Sequence, residues 1–391
     1  MHRVVAPAGR VVYHGRMVKE VTRTVLATLC AVMLAPVAAA AFHESGVASC
    51  AGCHVMHGSV DGQFVPATGG GLLLGGTASD TCLRCHAAYG QYTAGEGFGP
   101  GGDFYWLTRT WTWSTPGGLL QTSPGFSHGH DVVAPAYGLF GDAVRTIAPG
   151  GDFPSRDLGC TSCHDPHGNA QFRLLYGAGA GPAVTGGRYA FAAAAPAARG
   201  NGPVTIPGRP DSGDETDSRH TVFGSGTSSW CANCHGLYHE ASGSQDFSHP
   251  ADRTLGSARA TQYNRYVSTE QPTAGVQATA FWGLVPYEAA TVDLSIVDPS
   301  DYTLGPSTAD RVMCLSCHRA HASPFRAAGR WDFDVALIAD SHPQPTDGGA
   351  SASDVARKYY SYVFVPTQDS LCHKCHREIP GGGSRLIPAR R

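Results

Sequence analysis

Downstream of Phe42 the chain has no apolar run long enough to cross a bilayer, almost no methionine, little helical or strand periodicity, and no cysteine outside one recurring pattern. Each shortage excludes something. A membrane-spanning helix needs about 20 consecutive apolar residues, so the mature chain is read without one. In 391 residues with 50 glycines and 26 prolines, turns and irregular backbone take the place of packed helices. Basic residues are outnumbered too, with 28 Lys and Arg against 31 Asp and Glu, which argues against a nucleic-acid partner. Something other than a conventional hydrophobic core has to hold such a chain together.

The beginning of the chain reads as an export signal. A basic stretch (Arg10, Arg16, Lys19, Arg23) precedes an apolar run from Val25 to Val37, and Ala39 and Ala41 have the small side chains a signal peptidase accepts. Cleavage before Phe42 makes residues 1–41 the signal and 42–391 the mature protein. The stretch ahead of Met17 is long for a signal, which makes Met17 an alternative start. Cys30 lies inside the apolar run behind Leu29, where lipidation requires a small residue, so it leaves with the signal. The mature chain then keeps 23 basic and 30 acidic residues, a net charge of −7. Such acidity favours basic or metal-containing partners over anionic ones.

The twelve remaining cysteines form six CxxCH units, here motifs 1 to 6: Cys50 and Cys53 (CAGCH), Cys82 and Cys85 (CLRCH), Cys160 and Cys163 (CTSCH), Cys231 and Cys234 (CANCH), Cys314 and Cys317 (CLSCH), and Cys372 and Cys375 (CHKCH). Two thiols one helical turn apart can add to the two vinyl groups on one side of a porphyrin, leaving the adjacent histidine beneath the iron. The reading is six covalently attached haem c groups with His54, His86, His164, His235, His318 and His376 as proximal ligands. Disulfides would suit an exported chain but leave the constant fifth position unexplained. Zinc ribbons fail on the same histidines and on the oxidising compartment.

The second axial ligand must also be histidine. Only Met56 and Met313 survive in the mature chain, both beside or inside a motif, whereas eleven non-proximal histidines are available for six positions. That surplus predicts low-spin, low-potential bis-histidine irons with no open site. His57, His167 and His321 each stand three residues beyond a proximal ligand. Three residues span at most ~10 Å, too little to round the edge of a macrocycle and return, so none of these can serve its own iron. Each short segment is read as gripping two different haems, which makes those irons neighbours. His43, His130 and His249 complete the predicted distal set. His239 is the nearest reserve, and His128 is an alternative to His130. His373 is expected to face solvent, and His220 and His342 to have surface roles.

Spacings of 32, 78, 71, 83 and 58 residues between motifs rule out a tandem array. The expected fold is mostly irregular coil, with a short α-helix at each haem motif and few short strands, its core built around six stacked haems. Asp103–Ser114 (DFYWLTRTWTWS) alternates aromatics with other residues and is read as a strand. Residues 177–210, rich in Gly, Ala and Pro, are read as a loop or arm, and 377–391 as a flexible tail. No domain boundary is expected within 42–391, because histidines near one motif are needed by the haems of another.

The flanks of the motifs carry a resemblance. FHESGVASCAGCHVMHGS, CTSCHDPHG, WCANCH with a later HPA, CLSCHRAHAS, the APGGDFP stretch before motif 3 and GHDVV around His130 resemble the OmcS family of extracellular hexahaem cytochromes from Phe42 to His376. The resemblance implies a secreted, mostly coil subunit that polymerises head to tail into a conductive filament, with parallel and T-shaped haem neighbours in alternation. It further implies that His57 binds the fifth haem, attached at Cys314 and Cys317, of the adjacent subunit. A heterologous contact of that kind leaves a free end at each side and builds open polymers. The implied partners are copies of itself, redox partner cytochromes, and extracellular metal oxides or other acceptors. The chain departs from the family in shorter inter-motif loops and in His128, His220 and His342. Two other functions compete: a monomeric periplasmic shuttle, and a multihaem reductase, which would need an open iron that the histidine surplus argues against.

Overall fold

Two cysteines three residues apart face the same way only on a helical turn, and each of the six motifs lies in one. The computed structural model describes residues 50–55, 59–60, 63–64, 72–90, 101–167, 169, 171–182, 189–199, 221–239, 251–266, 284–294, 305–360, 362 and 364–376. Motifs 1 and 2 occupy helices α1 (Cys50–Cys53) and α2 (Ala78–His86), and motif 4 lies in α3 (Thr227–His239). Helix α4 (Gly256–Arg265) carries no motif, α5 (Cys314–Cys317) holds motif 5, and α6 (Ala352–Arg357) lies beyond it. Motifs 3 and 6 use 3-10 turns, Cys160–Ser162 and Leu371–Lys374. None of these helices is long and apolar enough to cross a membrane.

Helix starts are fixed by local chemistry. Thr77 Oγ1 accepts from the Asp80 amide at 3.0 Å while Asp80 Oδ2 accepts from the Thr77 amide at 3.0 Å, a capping box that starts α2. The other Asp80 oxygen accepts from the Ala136 amide at 2.9 Å and so ties motif 2 to the turn at Pro135–Tyr137. Ser79 Oγ, one residue earlier, accepts from the Cys160 amide at 3.1 Å and joins motif 2 to motif 3.

Strands are short because the glycine and proline content interrupts every run. Five antiparallel pairs are described: β1 (Ser59–Val60) with β2 (Gln63–Phe64), β3 (Trp111–Ser114) with β4 (Leu120–Ser123), β5 (Val133–Ala134) with β6 (Leu139–Phe140), β7 (Ala198–Arg199) with β8 (Val222–Phe223), and β9 (Arg253–Thr254) with β10 (Arg311–Val312). In the longest hairpin Trp111 stands opposite Ser123 and Ser114 opposite Leu120. The strand expected over Asp103–Ser114 is real only from Trp111. Phe104–Thr108 is a 3-10 turn instead, because Phe104, Tyr105 and Trp106 must point three ways. Phe104 stacks on His321, Tyr105 donates to Asp354 at 2.7 Å, and Trp106 is fully buried.

Two aromatic-rich clusters do the hydrophobic work. One gathers Trp106, Trp111, Leu83, Val132, Leu139 and Ala322, and the other Tyr263, Tyr266, Tyr287, Phe325, Trp331 and Tyr359, with Cys317, Cys372 and Cys375 packed against it. Each such side chain contributes about 1.5–3 kcal/mol on burial. Cysteines of motifs 5 and 6 thus border the second cluster. Residues 177–182 and 189–197 run as coil and turn, as the Gly and Ala content suggests. The signal, residues 183–188 and 200–210 of the arm, and the tail at 377–391 lie outside the described residues.

Candidate functional site

All twelve motif cysteines are described and none forms a disulfide. They meet across motif boundaries in chain order. Cys53 lies within the electrostatic reach of Cys82 and Cys85, and Cys82 donates its thiol hydrogen bond to Cys160. Cys163 neighbours Cys234, Cys231 donates to Cys314, and Cys317 neighbours Cys372 and Cys375. Burial pushes the Cys163 thiol up to about 12 and those of Cys234 and Cys375 to about 11. Among the described residues no three His, Cys, Asp or Glu side chains converge on one point.

The histidines show what the cysteines surround. His54 faces His167 with ring centres 6.3 Å apart and planes 11° from parallel. His235 faces His130 at 6.0 Å and 29°, and His164 faces His321 at 6.2 Å and 54°. Two imidazole nitrogens bound to one metal at ~2.0–2.1 Å, with each ring centre about 1.1 Å behind its nitrogen, give ~6.2 Å between centres. All three pairs therefore have the separation that one iron between them demands. In each pair one ring follows a CxxC unit and the other comes from a remote segment, so the donor set fits a covalently attached haem. His164 and His167, three residues apart, look toward different partners, as the short reach between them requires.

The rings are pre-set for that role. His164 Nδ1 hydrogen-bonds to Arg173 O at 2.8 Å, His235 Nδ1 to Pro149 O at 2.7 Å, His318 Nδ1 to Ala327 O at 2.7 Å and His321 Nδ1 to Gly102 O at 3.0 Å. His130 Nδ1 is likewise held by Ala320 O. A carbonyl can only accept, so Nδ1 carries the proton and Nε2 keeps its lone pair for a metal. Burial, then the neighbouring His164, pulls His321 down to about 3, which keeps it neutral. Two glycines permit the close backbone approaches these segments need: a Cβ at Gly129 would collide with the His321 carbonyl, and one at Gly151 with that of Cys234.

Other histidines separate just as clearly. His128 is fully buried with both nitrogens engaged, Nδ1 by Trp106 O at 3.0 Å and Nε2 by Ser123 Oγ at 2.8 Å, and it stacks on Trp111. Desolvation lowers its pKa to about 4, which makes it a neutral packing residue with both nitrogens committed. The reserve, His239, spends Nε2 on Asp252 at 3.3 Å and Ser229 at 3.4 Å. Contrary to the sequence reading, His342 is packed: it bonds Asp347 at 2.6 Å and stacks on Trp113 with ring centres 3.8 Å apart. His373 does not face solvent freely either, since it is half-buried beside the Asp369 carboxylate at 3.3 Å. His86 closes α2, and burial lowers the pKa of His376. His43, His57, His249 and His220 lie outside the described residues.

A direct contrast follows. His130→Ala is expected to leave one iron of the loaded protein with a single axial ligand, visible as high-spin absorbance. His128→Leu should leave the haem spectrum unchanged and cost about 1–3 kcal/mol of stability through the two lost hydrogen bonds and the imperfect fit. Visible spectra and thermal melts of both variants check this.

Sequence reasoning missed the buried charges. Lys374, inside motif 6, is fully buried, donates to Tyr266 O at 2.9 Å and lies 4.2 Å from the Tyr263 ring centre, and desolvation lowers its pKa to about 7. Arg330 is buried against motif 5, its Nε donating to Leu315 O, with burial bringing it down to about 9. Variable motif positions and a lone arginine gave no signal of either.

Comparison with known proteins agrees with this geometry. Residues 153–184, around motif 3, match the family model of the doubled CXXCH motif. C-type cytochrome OmcS of Geobacter sulfurreducens is 33% identical, over 88% of this chain and 96% of its own length. The chain belongs to the OmcS family of c-type cytochromes. Its fold matches two solved structures of that OmcS: the cryo-EM structure of the OmcS nanowires, at TM-score 0.70 and 33% identity over 86% of this chain and 99% of that one, and the outer membrane cytochrome S filament, at 0.69 and 31% over the same shares. The protein is thus an electron-transfer cytochrome with covalently bound haem c, and its mostly coil backbone is the OmcS fold.

Proposed function

We propose that this OmcS-family chain holds six haem c groups and conducts electrons as one subunit of an extracellular filament. The observation that carries the reading is the set of three histidine pairs at 6.0–6.3 Å between ring centres, each joining a motif to a distant segment. Each haem, when bound, supplies a one-electron iron couple. The twelve cysteines fix the position of each group, and the order in which they meet supports an unbroken line from motif 1 to motif 6. The facing histidines would hold the iron of each group and leave no open position for water or small ligands, while backbone carbonyls keep the Nδ1 proton of His130, His164, His235 and His321 in place. His54 with His167, His164 with His321 and His235 with His130 are the assignments favoured by distance. His43, His249 and His57 are proposed for the rest, with His57 reaching the motif 5 group of the next subunit. Export by the leader at residues 1–41 would pass the chain through the periplasm, and the net charge of −7 suits metal oxides and basic cytochromes as partners.

Secreted protein is expected to carry six haem masses per chain, and the reduced form to leave carbon monoxide unbound. Fewer than six haems, or stoichiometric carbon monoxide binding by the unaltered protein, would contradict the reading.

A further inference from the structure

Glu288 is a carboxylate closed off from solvent where two haem motifs meet. One of its oxygens accepts from the Gly226 amide at 2.7 Å, and the other from the Ser228 amide at 3.2 Å and the Ser228 hydroxyl at 3.4 Å. It thereby covers the exposed N–H groups at the start of α3, the motif 4 helix, where the helix dipole favours negative charge. Its own backbone is pinned to β10 by paired bonds with Arg311 at 2.9 and 2.8 Å. The Ser228 hydroxyl also reaches Cys314, and Cys314 lies against Cys231. A line of contacts therefore runs from the carboxylate through one hydroxyl to the attachment sulfurs of motifs 5 and 4.

The surroundings do not neutralise this charge. Asp252, before β9, adds a second negative charge, but it is held by Arg311 at 2.6 Å and His239 at 3.3 Å. Asp310 is occupied by the Ala290 amide at 3.0 Å and the Ser307 amide at 2.7 Å. Among the described residues no basic side chain pairs with Glu288, whose negative form is supported by N–H and O–H dipoles alone. Burial accordingly raises its pKa, with the Gly226 and Ser228 amides pulling the other way. A group so balanced responds to charge added nearby.

We propose that Glu288 binds a proton when the haems of motifs 4 and 5 are reduced, coupling electron passage to proton uptake at this point of the line. The inference rests on the haem reading above. One electron from a low-potential donor lowers the charge of an iron by one, and one proton from solvent converts the Glu288 carboxylate to the acid, so the buried region keeps its net charge. The route inward is short, since Ala290, two residues on, is exposed and Gly226 is only half-buried. A purely structural cap would hold the same hydrogen bonds in both redox states and take up nothing.

Spectroelectrochemical titration of the haem-loaded protein from about pH 5 to about pH 9 tests this. In the unaltered protein one component is expected to lose potential as pH rises. A tenfold change in the proton affinity of Glu288 between redox states corresponds to about 59 mV for a one-electron couple. Glu288→Gln should raise that component at high pH and abolish its slope, whereas Asp252→Asn should keep the slope. An undiminished slope in Glu288→Gln overturns the proposal. The redox-difference infrared spectrum of the unaltered protein should gain a protonated-carboxyl band on reduction; its absence overturns the proposal even if the variant does not fold. A fully loaded, low-spin protein with no pH slope defeats this inference alone, while a protein without haem defeats the reading beneath it.

Discussion

Replacing His321 with alanine is expected to turn one of the six proposed irons high-spin and open it to carbon monoxide, leaving the others as they were. The ring of His321 is held on every side. Its Nδ1 is bonded to Gly102 O at 3.0 Å, Phe104 stacks on it with ring centres 4.6 Å apart, and His164 lies opposite at 6.2 Å. No substitute stands ready, because His128 has both nitrogens committed and His130 already faces His235. About one sixth of the haem absorbance should change spin state, and the affected iron, stripped of an electron-donating ligand, should rise in potential. Visible spectra of the reduced variant with and without carbon monoxide check this. An unchanged low-spin spectrum would show that His321 is not a ligand, and two altered irons would show that the segment His318–His321 is less independent than its geometry indicates.

A second substitution acts between molecules. His57→Ala is expected to dissociate the filament into single subunits while most irons stay low-spin. His57 follows His54 too closely to serve the same iron, and His167 occupies the position opposite His54. The reading inferred from the OmcS family gives His57 to the motif 5 group of a neighbour, so its loss removes a metal-ligand bond repeated at every junction of an open polymer. Light scattering and negative-stain microscopy should show filaments replaced by particles of one subunit, with one high-spin iron per chain. Unchanged particle size with the same high-spin iron would mean that His57 binds within its own molecule and that the protein is a shuttle.

Much of the site was open to reading from the sequence because the motif chemistry is local. Cys160, Cys163 and His164 need only one turn of backbone to be in place, and all six motifs do form such turns. The separation of His164 from His167 was equally legible, being a matter of chain length. Partner choice was not. His54 meets His167, and His164 meets His321, through segments more than a hundred residues apart, and no spacing rule ranks such encounters. His128 and His130 were indistinguishable as residues, since both lie in one glycine-containing turn. What separates them is Trp106 and Ser123, which take up both nitrogens of His128.

The fold divides along the same line. Glycine and proline announced a coil-rich chain, and short elements followed. The strand misread at Asp103–Ser114 failed because the aromatic alternation at Trp111 and Trp113 does not extend back through Phe104, Tyr105 and Trp106, whose surroundings lie in three directions. Buried Glu288, Arg330 and Lys374 left no trace in composition, because a charge is read as exposed until the residues enclosing it are known.

Electron cryomicroscopy of the secreted material, at a resolution that shows porphyrin planes and imidazole rings, tests the ligand pairing most directly. The expected map has six porphyrins per subunit, with His54 and His167, His164 and His321, and His235 and His130 on opposite faces of shared irons. A map in which any of these three pairs is divided between two irons would contradict it.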